Sequence, residues 1–266
     1  MVEWVAKTWG IGMLLVGGLF AGMLLMLELG RRAWLWRSAK ETEASKPGRG
    51  SVEGATFALL GLLIAFTFSG AASRFDTRRE LIVQEANDIG TAYLRLDLLP
   101  PTPRTVLQEK FRRYLDARLA AYRAIPDMAK MNAALARAEA LRGEIWSGAV
   151  SATQQITSPP ATMLLLPALN AAFDTATTRL AAAQVHPPNL IFGLLVVLCL
   201  ACALFAGVGM ADRRARSWIH IIGFAGILTM TVYVIIDLEY PRLGLIRIAR
   251  FEQVLVDVRN SMNERR

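Results

Sequence analysis

The chain has 266 residues, of which 54% are hydrophobic, with a formal charge of +8 and a mean hydropathy of +0.36. That is more apolar than a soluble domain, which carries about 45–50% apolar residues. Two cysteines and two histidines exclude a disulfide framework and a structural zinc site.

The apolar residues fall into four blocks. The first runs from Trp9 to Leu29 and carries no charge before Glu28. A secretory signal would need a basic start, a shorter apolar stretch and a small-residue cleavage site. Here Glu3 and Lys7 precede a long stretch and Arg31-Arg32 follows it, so the block is read as a retained span over 9–29. A basic loop over 30–52 comes next, broken at Pro47-Gly48. The second span is placed at 53–73, the third at 189–210 and the fourth at 218–237. The second is uncharged from Gly54 to Ala72 and the third throughout, and His220 is the only titratable group at the start of the fourth. Each block holds about 20 residues, enough for about 30 Å of hydrocarbon. Lipid is therefore the first partner expected. The positive excess lies in arginines flanking the blocks, which suits anionic headgroups and implies no nucleic-acid partner.

Residues 74–188 must then form a domain outside the hydrocarbon. Prolines punctuate it at Pro100-Pro101-Thr102-Pro103, Pro126, Pro159-Pro160 and Pro187-Pro188. Between them the apolar residues step by three and four, the helical period: Ile82, Ala86, Ile89, Tyr93 and Leu96, then Leu107, Phe111 and Leu115, then Met131, Leu135, Ala138 and Ile145. The last piece repeats the stepping through Leu166, Leu169, Phe173, Ala176 and Leu180. The predicted fold class is all-α, with four transmembrane helices and a helical extramembrane domain between spans 2 and 3. No breaker separates Ala72 from Phe75, so span 2 should continue into that domain as one rod of roughly 40 residues, about 60 Å long. A tail over 238–266 follows the fourth span, with Phe251, Leu255 and Val258 on one face.

Small residues mark candidate helix contacts: Gly18 and Gly22 in span 1, and Gly61, Ala65, Ser69 and Ser73 in span 2. Such faces permit close helix approach. Beside the second set stands an apolar stripe of Leu59, Leu62 and Phe66, which can face lipid, a neighbouring helix or a pore. Further along, Gln84, Asp88, Thr91 and Arg95 form a polar stripe, suited either to interhelical hydrogen bonds or to an ion vestibule. There is no phosphate-binding loop, nucleophile elbow or His–carboxylate cluster, so neither an enzyme nor a cofactor is expected. Cys199 and Cys202 share a face inside span 3, where a metal site is not expected.

Two longer segments are distinctive: Phe68 to Pro100, FSGAASRFDTRRELIVQEANDIGTAYLRLDLLP, and Asp237 to Ile248, DLEYPRLGLIRI. They resemble the bacterial bestrophin-like domain family, four-span proteins of largely unestablished function, and more distantly the bestrophin channels. The distant likeness rests on Ser69, Ser73, Arg74 and Phe75 at the end of span 2. It rests also on Pro241 and Gly244 in a Pro-x-x-Gly segment, without the Phe that usually follows that proline. The resemblance implies a homo-oligomer, a pentamer as in bestrophins, in a bacterial inner (plasma) membrane, with inorganic ions as permeants and span 2 lining the pore. Leu59, Leu62 and Phe66 then become neck candidates. Only Asp237 and Glu239 stand close together after span 4, so calcium gating is not supported. The different reading is a non-conducting scaffold or sensor whose helical domain binds a partner.

Orientation stays open. Parity puts the two short loops on one face and the domain with both termini on the other. The short loops hold nine basic residues, Arg31, Arg32, Arg37, Lys40, Lys46, Arg49, Arg213, Arg214 and Arg216. By the positive-inside rule their density points to a periplasmic domain, whereas the family resemblance implies a cytoplasmic one.

Overall fold

The computed structural model describes residues 3–38, 49–154, 159–211, 217–242 and 244–264. Among these residues there are eight α-helices and no strand: α1 (Glu3–Ser38), α2 (Arg49–Arg95), α3 (Pro101–Ala124), α4 (Met128–Thr153), α5 (Pro159–Ala182), α6 (Asn189–Gly209), α7 (Trp218–Glu239) and α8 (Gln253–Glu264). Short 3-10 turns occupy Leu96–Leu98 and Ile248–Glu252. Four helices are long and apolar enough to cross a membrane, over Leu14–Trp36, within Gly50–Leu98, over Asn189–Gly209 and over Trp218–Glu239.

The helices divide the chain into two units. A span unit comprises Lys7–Ser73 and His186–Gly244, and an intervening unit comprises Met1–Ala6, Arg74–Val185 and Leu245–Arg266. Helix α2, 47 residues long, contributes to both, so the second span does run on without a break.

Helix boundaries correct the sequence reading at both ends of the basic loop, whose last positions, 49–52, belong to α2. Positions 30–38, read as the start of a basic loop, continue α1. The reason is that Arg31-Arg32-Ala33-Trp34-Leu35-Trp36 contains charge but no breaker, and arginine and leucine are good helix formers. Arg31 and Arg32 both pair with Glu28 through their Nε atoms, at 3.2 and 2.7 Å, so the charged end of this span is locally balanced. Positions 39–48 of the loop, with Lys40, Lys46 and Pro47-Gly48, lie outside the described residues, as do Arg213, Arg214 and Arg216.

Within the span unit the buried stripe of α1 is Leu19, Met23 and Leu27, followed one turn on by Gly30. There a Cβ would strike the Leu204 carbonyl oxygen, and a Cβ on Gly207 would strike that of Leu27. Helices α1 and α6 thus touch backbone to backbone, through two glycines the sequence reading passed over. Helix α7 joins them through Thr229, whose hydroxyl reaches the Met23 sulfur at 3.8 Å. It meets α2 at Phe57 and Phe224, edge to face with ring centroids 6.2 Å apart.

The intervening unit has a denser core. Ile82, Ala86, Ile89 and Tyr93 of α2, with Leu96 just after it, are all buried against Leu107, Phe111 and Leu115 of α3 and Ala138 and Ile145 of α4. On α5 the expected stripe holds at Leu169, Phe173 and Ala176, all buried, while Leu166 and Leu180 at its ends are only partly buried and Leu165 is buried beside it. The helices break at the prolines. Pro101 opens α3, where a missing N–H costs nothing. Asp127, just after Pro126, caps α4 by accepting from the Lys130 N–H at 3.1 Å. Helix α8 lays Leu255 and Met262 on this core, with Phe251 and Val258 partly buried beside it. Its C-terminal Met262 carbonyl accepts from Tyr93 Oη at 3.2 Å and Arg112 Nη1 at 3.3 Å, which satisfies a group no helical N–H can reach. Arg259 clasps Asp116 of α3 with both Nε and Nη2, at 2.7 and 2.9 Å.

Candidate functional site

On α2, the segment within the span unit buries one narrow stripe. Leu60 and Ala71 are buried, and Leu63, Ile64 and Thr67 are half-buried between them. At about 100° per residue this stripe leaves the opposite arc uncovered. There stand Leu59, Leu62 and Phe66, at 52%, 53% and 68% exposure. Gly61, Ala65, Ser69 and Ser73 share the same arc and are exposed too. Among the described residues no helix therefore covers the small face of α2, and a Cβ on Gly61 would meet nothing within 4 Å.

In α1 the outcome is divided. A Cβ on Gly22 would meet Leu200 Cδ2 of α6 at 3.1 Å, whereas one on Gly18 would meet open space. Gly18 lies one residue before Leu19 and so about 100° off the buried stripe.

The polar stripe of α2 turns towards α5. Thr175 Oγ1 donates to Asp88 Oδ2 at 2.6 Å, and Gln84 Nε2 reaches the same carboxylate at 3.2 Å. Arg95 Nη1 donates to the Leu164 carbonyl at 2.7 Å, next to Met163, whose helical donor is lost to Pro167. Thr91 is exposed. Asp88 and Arg95 thus do not pair with each other: both hold α2 to α5. Phe75 packs on the core of the intervening unit, and Arg74 is half-buried.

The turn after α7 explains its own residues. Asp237 and Glu239 are buried, at 5% and 0% exposure. A Cβ at Gly244 would fall on the Asp237 carboxylate, so only glycine lets the chain close over it; Pro241 is buried in the same turn. Glu239 Oε1 lies 3.0 Å from His186 Nδ1, and the His186 ring stacks on Tyr240 with centroids 4.6 Å apart. His186 thus ties the start of α6 to the end of α7. At the other end of α7, His220 Nδ1 contacts Ser217 Oγ at 2.6 Å.

A second polar constellation, in the intervening unit, was not anticipated. Glu85 is fully buried. Its Oε1 accepts from Arg118 Nη2 at 2.7 Å and Nε at 3.0 Å, and its Oε2 accepts from Arg179 Nη1. Arg179 Nη2 also reaches Glu252 at 2.9 Å, and its guanidinium lies 3.8 Å from the Tyr122 ring centroid. Two carboxylates and two guanidinium groups balance. Burial disfavours the charged Arg118, but the ionised Glu85 beside it and the hydrogen bonds they share outweigh this and raise its pKa. Burial, and then Glu85, raise that of Tyr122, so the phenol stays protonated. The signal was in the spacing: Glu85 stands three residues after Ile82, and Arg118 three after Leu115, on apolar stripes where a charge must find a partner.

A family model, the bestrophin-like domain, matches residues 50–250. No curated protein and no solved structure gives a significant match.

Proposed function

The chain belongs to the bestrophin-like family, and on that premise we propose that it is a homo-oligomeric, multi-pass membrane protein that conducts ions, with span 2 lining the pore. The observation that carries this reading is the uncovered arc of α2, where Leu59, Leu62 and Phe66 are more than half exposed on a helix long and apolar enough to span a bilayer. Several copies of such an arc around an axis would form a narrow apolar ring, and apolar constrictions hold back ions by dewetting. The small residues Gly61, Ala65 and Ser69 beside it would let neighbouring copies approach closely. Two half-buried hydroxyls of the span helices are satisfied inside their own helices: Thr67 and Thr231 donate to carbonyls one turn back.

The test is flux in liposomes loaded with equal amounts of protein. Phe66→Ala should raise K⁺ or Cl⁻ flux above wild type, and Leu62→Ala should raise it less, because it removes a smaller side chain. If all three remain folded and oligomeric yet match empty liposomes for both ions, conduction is excluded and the scaffold reading replaces it. Particle images of the purified protein should show a closed ring with α2 at the axis; a monomer or dimer would contradict the oligomeric part.

The proposed topology puts residues 74–188 outside the hydrocarbon, on the side opposite the short loops, in a bacterial inner membrane. Cysteines introduced by Gly50→Cys and Ser151→Cys should label from opposite sides of sealed vesicles. Labelling of both from one side would rule it out.

A further inference from the structure

We propose that the intervening unit binds a small, neutral, apolar molecule carrying one hydrogen-bond-accepting oxygen, in the cavity between α3, α4 and α5. The cavity measures about 300 Å³, at the small end of ligand pockets, which run from roughly 300 to 1,000 Å³. Leu135, Ala136, Phe173 and Leu180 give it apolar walls. Two of its lining residues, Tyr114 and Arg118, are almost wholly buried, at 2% and 3% exposure.

Both of these carry donors that the protein leaves unused. Arg118 spends Nε and Nη2 on Glu85, Tyr122 and the Ala176 carbonyl. Among the described residues its Nη1 makes no hydrogen bond, and neither does the Tyr114 hydroxyl. Yet no buried side-chain nitrogen or oxygen lacks a partner. Both atoms must therefore reach open space, and the cavity is the space that both residues line. Water in the cavity can satisfy both donors, and a ligand oxygen that takes the place of that water keeps the hydrogen bond while the rest of the ligand covers the apolar walls.

Charge selects a neutral ligand. Arg118 is already matched by Glu85, and the other two charged lining residues, Glu139 and Arg142, pair with each other. An incoming anion would find no uncompensated cation. The phenol remains a donor at neutral pH, because burial pushes the Tyr114 pKa up to about 12. Its ring is held edge to face against Phe173, with centroids 5.6 Å apart, so the hydroxyl is fixed before a ligand arrives. Arg118 also grips Glu85 of α2, which places the ligand against the side chain that anchors that helix.

The experiment uses the full chain in lipid nanodiscs, with empty nanodiscs as background. Three probes with one ring are titrated and followed by ligand-observed NMR: cyclohexanone, methylcyclohexane and cyclohexanecarboxylate. Cyclohexanone should bind saturably and more tightly than the other two. Tyr114→Phe, which keeps the ring, should weaken cyclohexanone about three- to tenfold, the worth of one hydrogen bond, and leave methylcyclohexane unchanged. Ala136→Phe, at an exposed lining position, should fill the cavity and abolish binding. The proposal is overturned if cyclohexanone binds no better than to empty nanodiscs. It is equally overturned if methylcyclohexane binds as tightly, if the carboxylate binds more tightly, or if neither substitution changes cyclohexanone affinity.

Discussion

The two units solve helix packing by opposite means. In the span unit α1 and α6 meet through absence of side chain: Gly30 faces the Leu204 carbonyl and Gly207 faces that of Leu27. In the intervening unit they meet through large side chains, among them Phe111, Tyr114 and Phe173 in an aromatic chain with centroids 5.8 and 5.6 Å apart and a buried Glu85–Arg118–Arg179 cluster. Lipid removes the hydrophobic drive between helices and leaves contact and dispersion to hold them; on the proposed topology the intervening unit buries its core from water, where long aromatic and charged groups are tolerated if each is satisfied. The contrast is chemical, and substitutions can break each side of it separately.

The largest effect is expected at Glu85. Removing one member of a buried ion pair strands the other, at a cost of about 3–5 kcal/mol. Glu85→Ala strands two guanidinium groups, one of which retains Glu252. Denaturant unfolding of the full chain should register a loss in that range. The double variant Glu85→Met with Arg118→Met should recover at least half of it, since an apolar pair of similar volume removes the stranded charge. If Glu85→Ala unfolds like wild type, the cluster contributes nothing to the fold.

Next come the glycines of the span unit. Alanine in place of glycine normally improves a helix by about 1 kcal/mol, so the sign of the change is diagnostic. At Gly30 and Gly207 the added methyl meets backbone, which cannot swing aside, and forcing it in should cost about 1–3 kcal/mol. Gly30→Ala and Gly207→Ala should each lower stability in mixed-micelle unfolding. A gain at either position would show that α1 and α6 do not touch there.

Periodicity made the helices of the intervening unit legible because its sequence punctuation is strong: Pro101 and Asp127 sit at helix starts, and the stripe from Ile82 to Leu96 is buried without exception. It failed where pattern and partner are separate questions. The small residues Gly18 and Gly22 form one motif in the sequence, but only Gly22 faces another helix of the chain, because the stripe through Leu19, Met23 and Leu27 sets which side is inward. Glu85, Arg118 and Arg179 were passed over because each looks like an ordinary surface charge until the helix phase is worked out. The residues of the DLEYPRLG turn were recognised as a pattern, but its cause, the Asp237 carboxylate filling the space beside Gly244, is a contact that spacing alone does not reveal.

Alkaline pH should separate the units more gently. The Tyr114 pKa stands near 12 when folded and about 10 when unfolded. Below pH 10 both states hold the proton, and stability does not depend on it. Above pH 10 the unfolded state loses the proton first, so stability falls by about 1.4 kcal/mol per pH unit until the folded phenol ionises near pH 12. Tyr122, also raised, adds in the same direction. Tyr114→Phe should flatten the slope between pH 10 and 12 by about one proton. An unchanged slope would mean that the phenol is as accessible as a free tyrosine.

The smallest effect is expected at Gly18, and its smallness is the point. Nothing within 4 Å would meet a Cβ there, so Gly18→Leu should leave the folding of a single chain within about 0.5 kcal/mol of wild type. At Gly22 the added group would meet the end of the Leu200 side chain, and Gly22→Leu should fall between Gly18→Leu and the Gly30 variant. The ordering Gly30, Gly22, Gly18 follows from what each glycine faces: a fixed carbonyl, a side chain that can rotate away, and open space. Unfolding measured on all three under one condition tests the order without depending on any absolute value. A loss at Gly18 as large as that at Gly30 would place a second copy of the chain, rather than lipid, against that side of α1.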